Sequence, residues 1–128
     1  MAARVESFRD LLVYKSAFEL QQGVFRLSKS FPAEERYSLT DQIRRSSRSV
    51  GANIAEAWQK RRYEAHFVNK LTDADGELAE TEHWLETSVA CGYLTPQMHG
   101  ELTSKSRAVG RMLGKMILTP EQWCSGRR

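Results

Sequence analysis

Patterns that mark secreted and membrane proteins are nearly absent from this sequence of 128 residues. It has two cysteines, Cys91 and Cys124, and no charged start followed by an apolar signal core, so we expect reduced thiols in the cytoplasm. The longest runs of purely apolar residues have three members, as at Leu11–Val13 and Met116–Leu118, whereas about 18 are needed to span a bilayer. The sequence therefore predicts neither a disulfide framework nor a membrane-spanning segment.

Glycine and proline are also scarce, with 8 and 3 copies. These numbers are too low for a turn-rich β sandwich or a disordered linker. The hydrophobic content of 41% and the charged content of 27% are those of an ordinary globular protein. A chain of this length buries roughly two thirds of its unfolded surface in one core, so we expect one mostly helical domain.

Motifs of common enzyme classes are missing as well. The chain has no Gly-x-Ser-x-Gly elbow, no P-loop, no Gly-x-Gly-x-x-Gly, and no basic neighbour that would activate either cysteine. One metal-like pair is present, Glu80-x-x-His83, but a di-iron bundle needs a second such pair and two further glutamates. Both residues also point away from the apolar stripe of their segment. We predict no enzymatic activity, no metal and no cofactor.

What the sequence does contain is apolar residues that recur every three or four positions, the period of amphipathic helices. Four such stripes run from Val13 to Phe31, Leu39 to Trp58, Tyr63 to Val89 and Met98 to Met116. We predict helices over about 9–30, 39–60, 63–91 and 96–118, with a short tail at 119–128. Because the connections are short, the expected fold is an all-α, antiparallel up-down-up-down four-helix bundle.

Local signals mark several helix ends. Ser38 followed by Asp41 is close to a capping box and predicts the start of the second helix. Gly92 suits the left-handed conformation after the third helix. Thr95 and Pro96 predict a cap and a first-turn proline for the fourth.

The first helix carries a second row of large apolar side chains, roughly opposite its stripe, namely Leu11, Tyr14, Phe18 and Phe25. One bundle cannot bury both faces of one helix, so we predict a homo-oligomer that uses this second row. The alternative is that the loops, or the C-terminal segment around Trp123, cover it within one chain.

Charge is distributed unevenly, although the net charge is only +3. Residues 36–62 carry seven Lys or Arg against Asp41 and Glu56, and residues 105–128 carry six against Glu121. Residues 71–104 carry seven acids and no Lys or Arg. Within the second helix, we expect Glu56 to pair with Lys60, four residues on.

Two rows of basic residues lie on faces opposite the apolar stripes. Arg44, Arg45 and Arg48 form one row on the second helix, and the row on the fourth consists of Arg107, Arg111 and Lys115. Such rows are candidates for contacts to phosphates of RNA or DNA, without sequence preference and with steep salt dependence. The alternative is a solvated face, or pairing with acids of the third helix within or between subunits.

Small residues on the second and fourth helices predict close helix packing. A glycine inside a helix costs about 1 kcal/mol relative to alanine, and a close approach at Gly51, Gly110 and Gly114 would compensate for it. A polar edge would supply hydrogen bonds across the contact made by the second helix. Its members are Gln42, Ser46, Ser49 and Asn53.

Several motifs of the chain match a known family. They are F-P-x-x-E-x-Y from Phe31, Q-I-R-R-S from Gln42 and N-I-A-E from Asn53, and the match continues to Gly92-Tyr93-Leu94. Over nearly its whole length, the sequence resembles the four-helix-bundle proteins encoded in 23S rRNA intervening sequences. It departs where Ala57-Trp58 replaces a usual glycine, and where acids at 73, 75 and 77 surround Gly76. These extra acids weaken the case for nucleic-acid binding on that side.

The resemblance implies an up-down bundle in a ring-like homopentamer, without enzymatic activity. It also implies kinship with accessory proteins of diversity-generating retroelements, whose expected partners are nucleic acid and a reverse transcriptase. Together with the basic rows, it leads us to expect an oligomeric bundle that binds RNA or DNA. The alternative is a scaffold for protein–protein interaction that binds no nucleic acid.

Overall fold

Four long helices dominate the computed structural model, which describes residues 4–124. They are α1 (Leu12–Ser28), α2 (Leu39–Gln59), α3 (Glu64–Ala90) and α4 (Pro96–Leu118), followed by the short α5 (Glu121–Cys124). No strand occurs between residues 4 and 124. The predicted all-α class is confirmed, and the four long helices are consistent with a bundle.

The predicted apolar stripes form the core. α1 packs against α2, α2 against α3, α3 against α4, and α4 against α1, so the helices enclose one apolar interior. Phe67 and Leu85 of α3 are fully buried there, as are Leu20 of α1 and Ile54 of α2. Burying one such side chain contributes about 1.5–3 kcal/mol relative to leaving it exposed. Among the described helices, none is long and apolar enough to cross a lipid bilayer.

The ends of α3 and α4 follow the local signals in the sequence. Gly92 has φ +80°, its N–H donates to the Val89 carbonyl at 3.0 Å, and the Tyr93 N–H donates to the Ser88 carbonyl at 2.9 Å. Thr95 caps α4 by accepting a hydrogen bond from the Met98 N–H at 3.1 Å, and Pro96 is its first residue. These predictions are confirmed.

Ser38 is the N-cap residue of α2, as predicted, but its side chain makes no capping hydrogen bond. A 3-10 turn at Ala33–Glu35 brings the Glu35 carboxylate to this helix end. The Ser38 hydroxyl donates to Oε1 of Glu35 at 2.7 Å, and the same oxygen accepts the Leu39 N–H at 3.4 Å. Glu35 therefore supplies the side-chain acceptor at this helix end that the sequence pattern assigned to Ser38.

The Glu35 carboxylate also joins two connections of the chain. The Tyr93 hydroxyl, from the connection between α3 and α4, donates to Oε2 of Glu35 at 2.9 Å. Hydrogen bonds from Ser38 and Tyr93 lower the pKa of Glu35. In turn, the bond to Glu35 is the main cause that raises the pKa of Tyr93 to about 12.

α1 begins at Leu12 rather than at about residue 9. A 3-10 turn at Phe8–Asp10, capped by Ser7, precedes it and packs against α1 and α2. Leu11 is extended at φ −69° and ψ 130°, and only 3% of it is exposed. The sequence places Leu11 at a subunit interface, but the structure buries it within one chain. The prediction assumed that Leu11 belongs to a helix, whereas its backbone is extended.

Close helix packing occurs at only some of the predicted glycines. A Cβ at Gly51 would lie 3.6 Å from Cε1 of Tyr14, and one at Gly110 would lie 3.4 Å from Cδ2 of Leu78. Gly114 has nothing within 4 Å of such a Cβ among the described residues, so it makes no close approach within this chain. The tightest approach is at Gly23, where Cδ2 of Leu102 would be 3.1 Å away.

Among the described residues, one member of the predicted polar edge of α2, Ser46, forms a side-chain hydrogen bond to another helix. The Thr81 hydroxyl of α3 donates to the buried Ser46 hydroxyl at 2.9 Å. Ser49 and Asn53 instead bond to carbonyls of their own helix, those of Arg45 and Ser49 respectively. Side chains at these two positions satisfy local backbone acceptors, as polar residues inside helices commonly do.

Candidate nucleic-acid interface

The arginines of α2 line one shallow depression on the surface. Arg44, Arg45 and Arg48 contribute to it from the helix, and Arg36 contributes from the preceding loop. The depression has a volume of about 420 Å³ and is completed by Thr40, Asp41, Ser49 and Ala52. Four arginines and one acidic residue are therefore among the described residues that line the depression.

Uncharged neighbours hold two of these arginines in place. Nε of Arg44 donates to the Ser28 hydroxyl of α1 at 2.8 Å. The guanidinium carbon of Arg44 lies 5.0 Å from the centre of the Phe25 ring, and that of Arg48 lies 5.6 Å from it. Both distances are within the range of a cation–π interaction, which orients a cation without neutralising it.

Among the described residues, the α2 arginines form no ion pair. Over residues 4–124, no carboxylate lies within 4.0 Å of a side-chain nitrogen of Arg44, Arg45 or Arg48. Arg45 and Glu77 of α3 interact only at longer range. Burial and the neighbouring Glu80 raise the pKa of Glu77, and Arg45 opposes that rise. Within one chain, the alternative of internal pairing with α3 acids therefore does not occur for these three residues.

The aromatic row of α1 lies beside the α2 arginines. Phe25 is half-buried beneath Arg44, Arg48 and Lys29, whose Nζ is 4.8 Å from the ring centre. Tyr14 is also half-buried, whereas Phe18 is 45% exposed. We call the surface formed by Phe18, Phe25, Arg44, Arg45 and Arg48 the α1/α2 surface.

The two sets of candidate residues were predicted separately, as oligomer and nucleic-acid contacts. The structure brings the two sets together at Phe25, whose ring lies under Arg44 and Arg48. Tyr14 contacts Phe8 with ring centres 4.9 Å apart and Phe18 with ring centres 6.2 Å apart. Leu11 does not belong to that surface, because it is buried within the chain.

The basic row of α4 is divided and lies elsewhere. Arg107 and Arg111 line a depression together with Asp75 and Glu82 of α3. Lys115 instead borders an apolar cleft near Leu12 of α1 and Trp123 of α5. The structure therefore does not bring the α4 row together with the α2 arginines, and it places carboxylates beside two of its members.

The acidic residues of α3 have other partners. Asp73 lies 3.9 Å from Nζ of Lys70, and Glu82 accepts a hydrogen bond from Ser106 at 2.5 Å. Oε2 of Glu86 lies 2.5 Å from Nε2 of His99. The expected pair of Glu56 with Lys60 is replaced by a pair across helices, since Nζ of Lys70 is 2.8 Å from Oε1 of Glu56.

The metal-like pair on α3 takes part in aromatic contacts. Glu80 accepts a hydrogen bond from Nε1 of Trp84 at 3.1 Å, and the His83 ring lies 4.7 Å from the Trp84 ring. In the part of the chain that the structure describes, no three His, Cys, Asp or Glu side chains are grouped to hold a metal ion.

Two residues that surround the α2 arginines do not follow from helical spacing, namely Arg36, which lines the depression, and Ser28, which bonds to Arg44 from outside its lining. Arg36 lies in a loop, outside any helical row, and Ser28 was read only as part of α1. Their proximity to Arg44 depends on the path of residues 29–38, which returns the chain from α1 to α2. The spacing of residues within one helix carries no signal for such a contact.

Comparisons with known proteins agree with this fold. The profile of the family described as 23S rRNA-intervening sequence protein matches residues 9–115. The chain is also similar to a crystal structure from Bacteroides thetaiotaomicron VPI-5482, a protein with unknown function from the S23 ribosomal protein family. The two share 32% identity with a TM-score of 0.77, over 84% of this chain and 96% of that one. No curated protein matches the chain.

Proposed function

The chain belongs to the 23S rRNA-intervening sequence protein family, and from that membership we propose that it is a non-enzymatic protein that binds RNA or DNA. The contact surface is the arginine side of the α1/α2 surface, where Arg44, Arg45 and Arg48, together with Arg36, meet the phosphate backbone. The observation that carries this proposal is the set of four arginines that line one depression, all of them without an ion pair over residues 4–124.

Arginine suits this task chemically. Its planar guanidinium donates two parallel hydrogen bonds to a phosphate and keeps its charge at any physiological pH. Arg44 and Arg48 are four residues apart, which places them about 6 Å apart along the helix axis. A polyanion that binds here releases its counterions, and that release supplies affinity without reading a base sequence.

The α4 row is a weaker part of the same proposal. Arg107 and Arg111 share their depression with two carboxylates, which repel an approaching phosphate. Lys115 is separate from them and borders an apolar cleft. We therefore assign the main contact to α2 and a minor one to Arg107, Arg111 and Lys115.

Assembly is the second part of the proposal. The long helices alternate in direction, as in an antiparallel up-down-up-down bundle. The Glu35–Tyr93 hydrogen bond supports this arrangement, because it joins two connections separated by two helices. Several chains then form a homo-oligomer, a pentamer by family resemblance, through the exposed part of α1. Phe18 is 45% exposed and Leu12 is 69% exposed on that helix.

A protein–protein scaffold is the competing function. It is favoured by the acidic outer side of α3, where Asp73, Asp75 and Glu80 are exposed and no Lys or Arg occurs between residues 71 and 104. In that case the α2 arginines of one copy would pair with α3 acids of another copy or of a partner protein. Such pairing would neutralise the arginines and leave no cationic surface for nucleic acid.

Binding of structured RNA at low salt separates the two functions. We expect the wild type to bind, and Arg45→Ala with Arg48→Ala to weaken binding about tenfold, as expected when charge-assisted hydrogen bonds are lost. Arg44 is left unchanged because it also bonds to Ser28. The matched control is Lys15→Ala with Lys60→Ala, which removes the same charge from exposed positions outside the depression.

The control is expected to bind nearly as well as the wild type. Failure of the wild type to bind RNA, or equal weakening by both pairs of substitutions, would contradict the proposed surface. In the first case the scaffold function is the remaining candidate.

A further inference from the structure

Tyr37 is the most exposed large apolar side chain among the described residues, at 86% exposure. It follows Arg36 in the loop between α1 and α2 and contributes nothing to the core. Burial of its ring would contribute favourably, so packing within one chain does not account for an aromatic side chain held in water. A single exposed aromatic residue is common on protein surfaces, so it is the position of Tyr37 next to the basic depression that points to a ligand.

The loop that carries Tyr37 is held at several points. The Arg36 N–H donates to the Ala33 carbonyl at 3.1 Å, and the Ser38 N–H donates to the Glu35 carbonyl at 3.1 Å. On either side of Tyr37, the Glu35 side chain binds Ser38 and reaches across to Tyr93. The backbone of Tyr37 is thus fixed by its neighbours, and its ring projects from a defined point.

Arg36 connects this ring to the basic depression. Its guanidinium carbon lies 6.0 Å from the centre of the Tyr37 ring. The same side chain lines the depression formed by Arg44, Arg45 and Arg48. The Tyr37 ring therefore lies next to Arg36, one of the four arginines that line the depression.

We infer that this site takes single-stranded nucleic acid, with Tyr37 stacking on an unpaired base while the arginines hold the neighbouring phosphates; the inference rests on the proposed function. Aromatic side chains beside a basic groove bind single strands in this way, because every base has a flat face that stacks. In a duplex the bases are paired and stacked on each other, so the ring has no base to contact.

The chain contains a matched control for this residue. Arg62 and Tyr63 repeat the Arg-Tyr pair, with the guanidinium carbon 5.8 Å from the ring centre and Tyr63 57% exposed. They follow the 21 residues of α2, about 30 Å along the helix from Tyr37. Arg62 does not line the depression that contains the α2 arginines.

The test compares three probes by fluorescence anisotropy at one low salt concentration. They are an unstructured single-stranded RNA of about 16 nucleotides, the duplex of the same sequence, and inorganic polyphosphate, which has charge but no bases. For Tyr37→Ala we expect about tenfold weaker binding of the single strand and unchanged binding of polyphosphate. Tyr37→Phe keeps the ring and should bind the single strand like the wild type, as should Tyr63→Ala.

Each other outcome overturns the inference in a recognisable way. If the wild type binds the single strand but Tyr37→Ala binds it equally well, or if the wild type prefers the duplex, the surface binds nucleic acid without stacking and only the inference fails. If the wild type binds neither RNA nor polyphosphate, the proposed function fails with it. If Tyr37→Ala lowers the mass measured by light scattering, Tyr37 is a subunit contact instead.

Discussion

At the scale of single residues, Arg44 shows how a cation is positioned without an opposite charge. Its Nε donates to Ser28 and its guanidinium lies over Phe25, so two neutral groups of α1 fix its direction. A carboxylate in the same place would have fixed it equally well but would have neutralised its field. The arrangement leaves the charge available to an external anion, which is what a phosphate-binding surface requires.

The Glu35–Tyr93 hydrogen bond should make the stability of the protein depend on pH. The pKa of Glu35 is lowered, so its contribution to stability is present above its ordinary pKa of 4.5 and is lost as pH falls through the lowered value. The pKa of Tyr93 is raised from 10.0 to about 12, so its contribution is present below pH 10 and is lost as pH rises towards 12.

Tyr93→Phe removes that hydrogen bond and should reduce both effects. We expect a lower urea midpoint at neutral pH and a shallower fall of the midpoint in acid and in alkali than for the wild type. Tyr63→Phe is the control, since the Tyr63 hydroxyl forms no hydrogen bond within residues 4–124. A Tyr93→Phe profile parallel to that of the wild type would contradict the assigned role.

At the scale of helices, periodicity predicted α2, α3 and α4 closely, because each has one apolar face and local signals at its ends. The start of α1 was less predictable, since the turn at Phe8–Asp10 is stabilised by its own capping box and by packing on α2. The partner of Glu56 was also missed. Spacing within one helix favours Lys60, whereas the packing of α2 on α3 brings Lys70 closer.

The candidate site was predictable only in part, for the same reason. The row of Arg44, Arg45 and Arg48 follows from helical spacing alone. Arg36, Ser28 and the position of Phe25 beneath the arginines depend on how α1 and α2 meet. Helical spacing therefore identified three of the four arginines of the site, but neither Arg36 nor the neutral groups that orient Arg44 and Arg48.

Replacing Gly114 by alanine should change the stability of α4. No described atom lies within 4 Å of a Cβ at this position, which is inside α4. Gly114→Ala should therefore stabilise the chain by about 0.5–1 kcal/mol, because alanine favours the helix and clashes with nothing. Gly23→Ala is the comparison. There Cδ2 of Leu102 would be only 3.1 Å away, so we expect a smaller gain or a loss.

Urea denaturation of the two variants and the wild type measures these differences. Destabilisation by Gly114→Ala would contradict the open surroundings seen in one chain. It would indicate that a second copy packs closely against α4 at this point.

At the scale of the whole molecule, the exposed part of α1 predicts self-association. Phe18→Glu places a charge on the exposed α1 face and should reduce the mass measured by light scattering at micromolar concentration to that of a single chain. Tyr63→Glu is the control, because Tyr63 is 57% exposed at the start of α3 and does not belong to α1. A wild type that is already monomeric, or a Phe18→Glu variant of unchanged mass, would contradict the proposed interface.

The charge pattern of the molecule makes the α1/α2 surface its main cationic feature. The acidic stretch at 71–104 lies mostly on α3 and places Asp75 and Glu82 beside the α4 arginines. The α2 arginines share their depression with Asp41 alone among described acids. A polyanion approaching the molecule should therefore meet the least repulsion at α2.

The salt dependence of RNA binding tests that account most directly. The logarithm of the affinity should fall linearly with the logarithm of the salt concentration, with a slope set by the number of phosphates contacted. For a single strand, Arg45→Ala with Arg48→Ala should reduce that slope by about 1.4, and Lys15→Ala with Lys60→Ala should leave it unchanged. An equal slope for the wild type and the arginine variant would show that the α2 arginines do not contact phosphates.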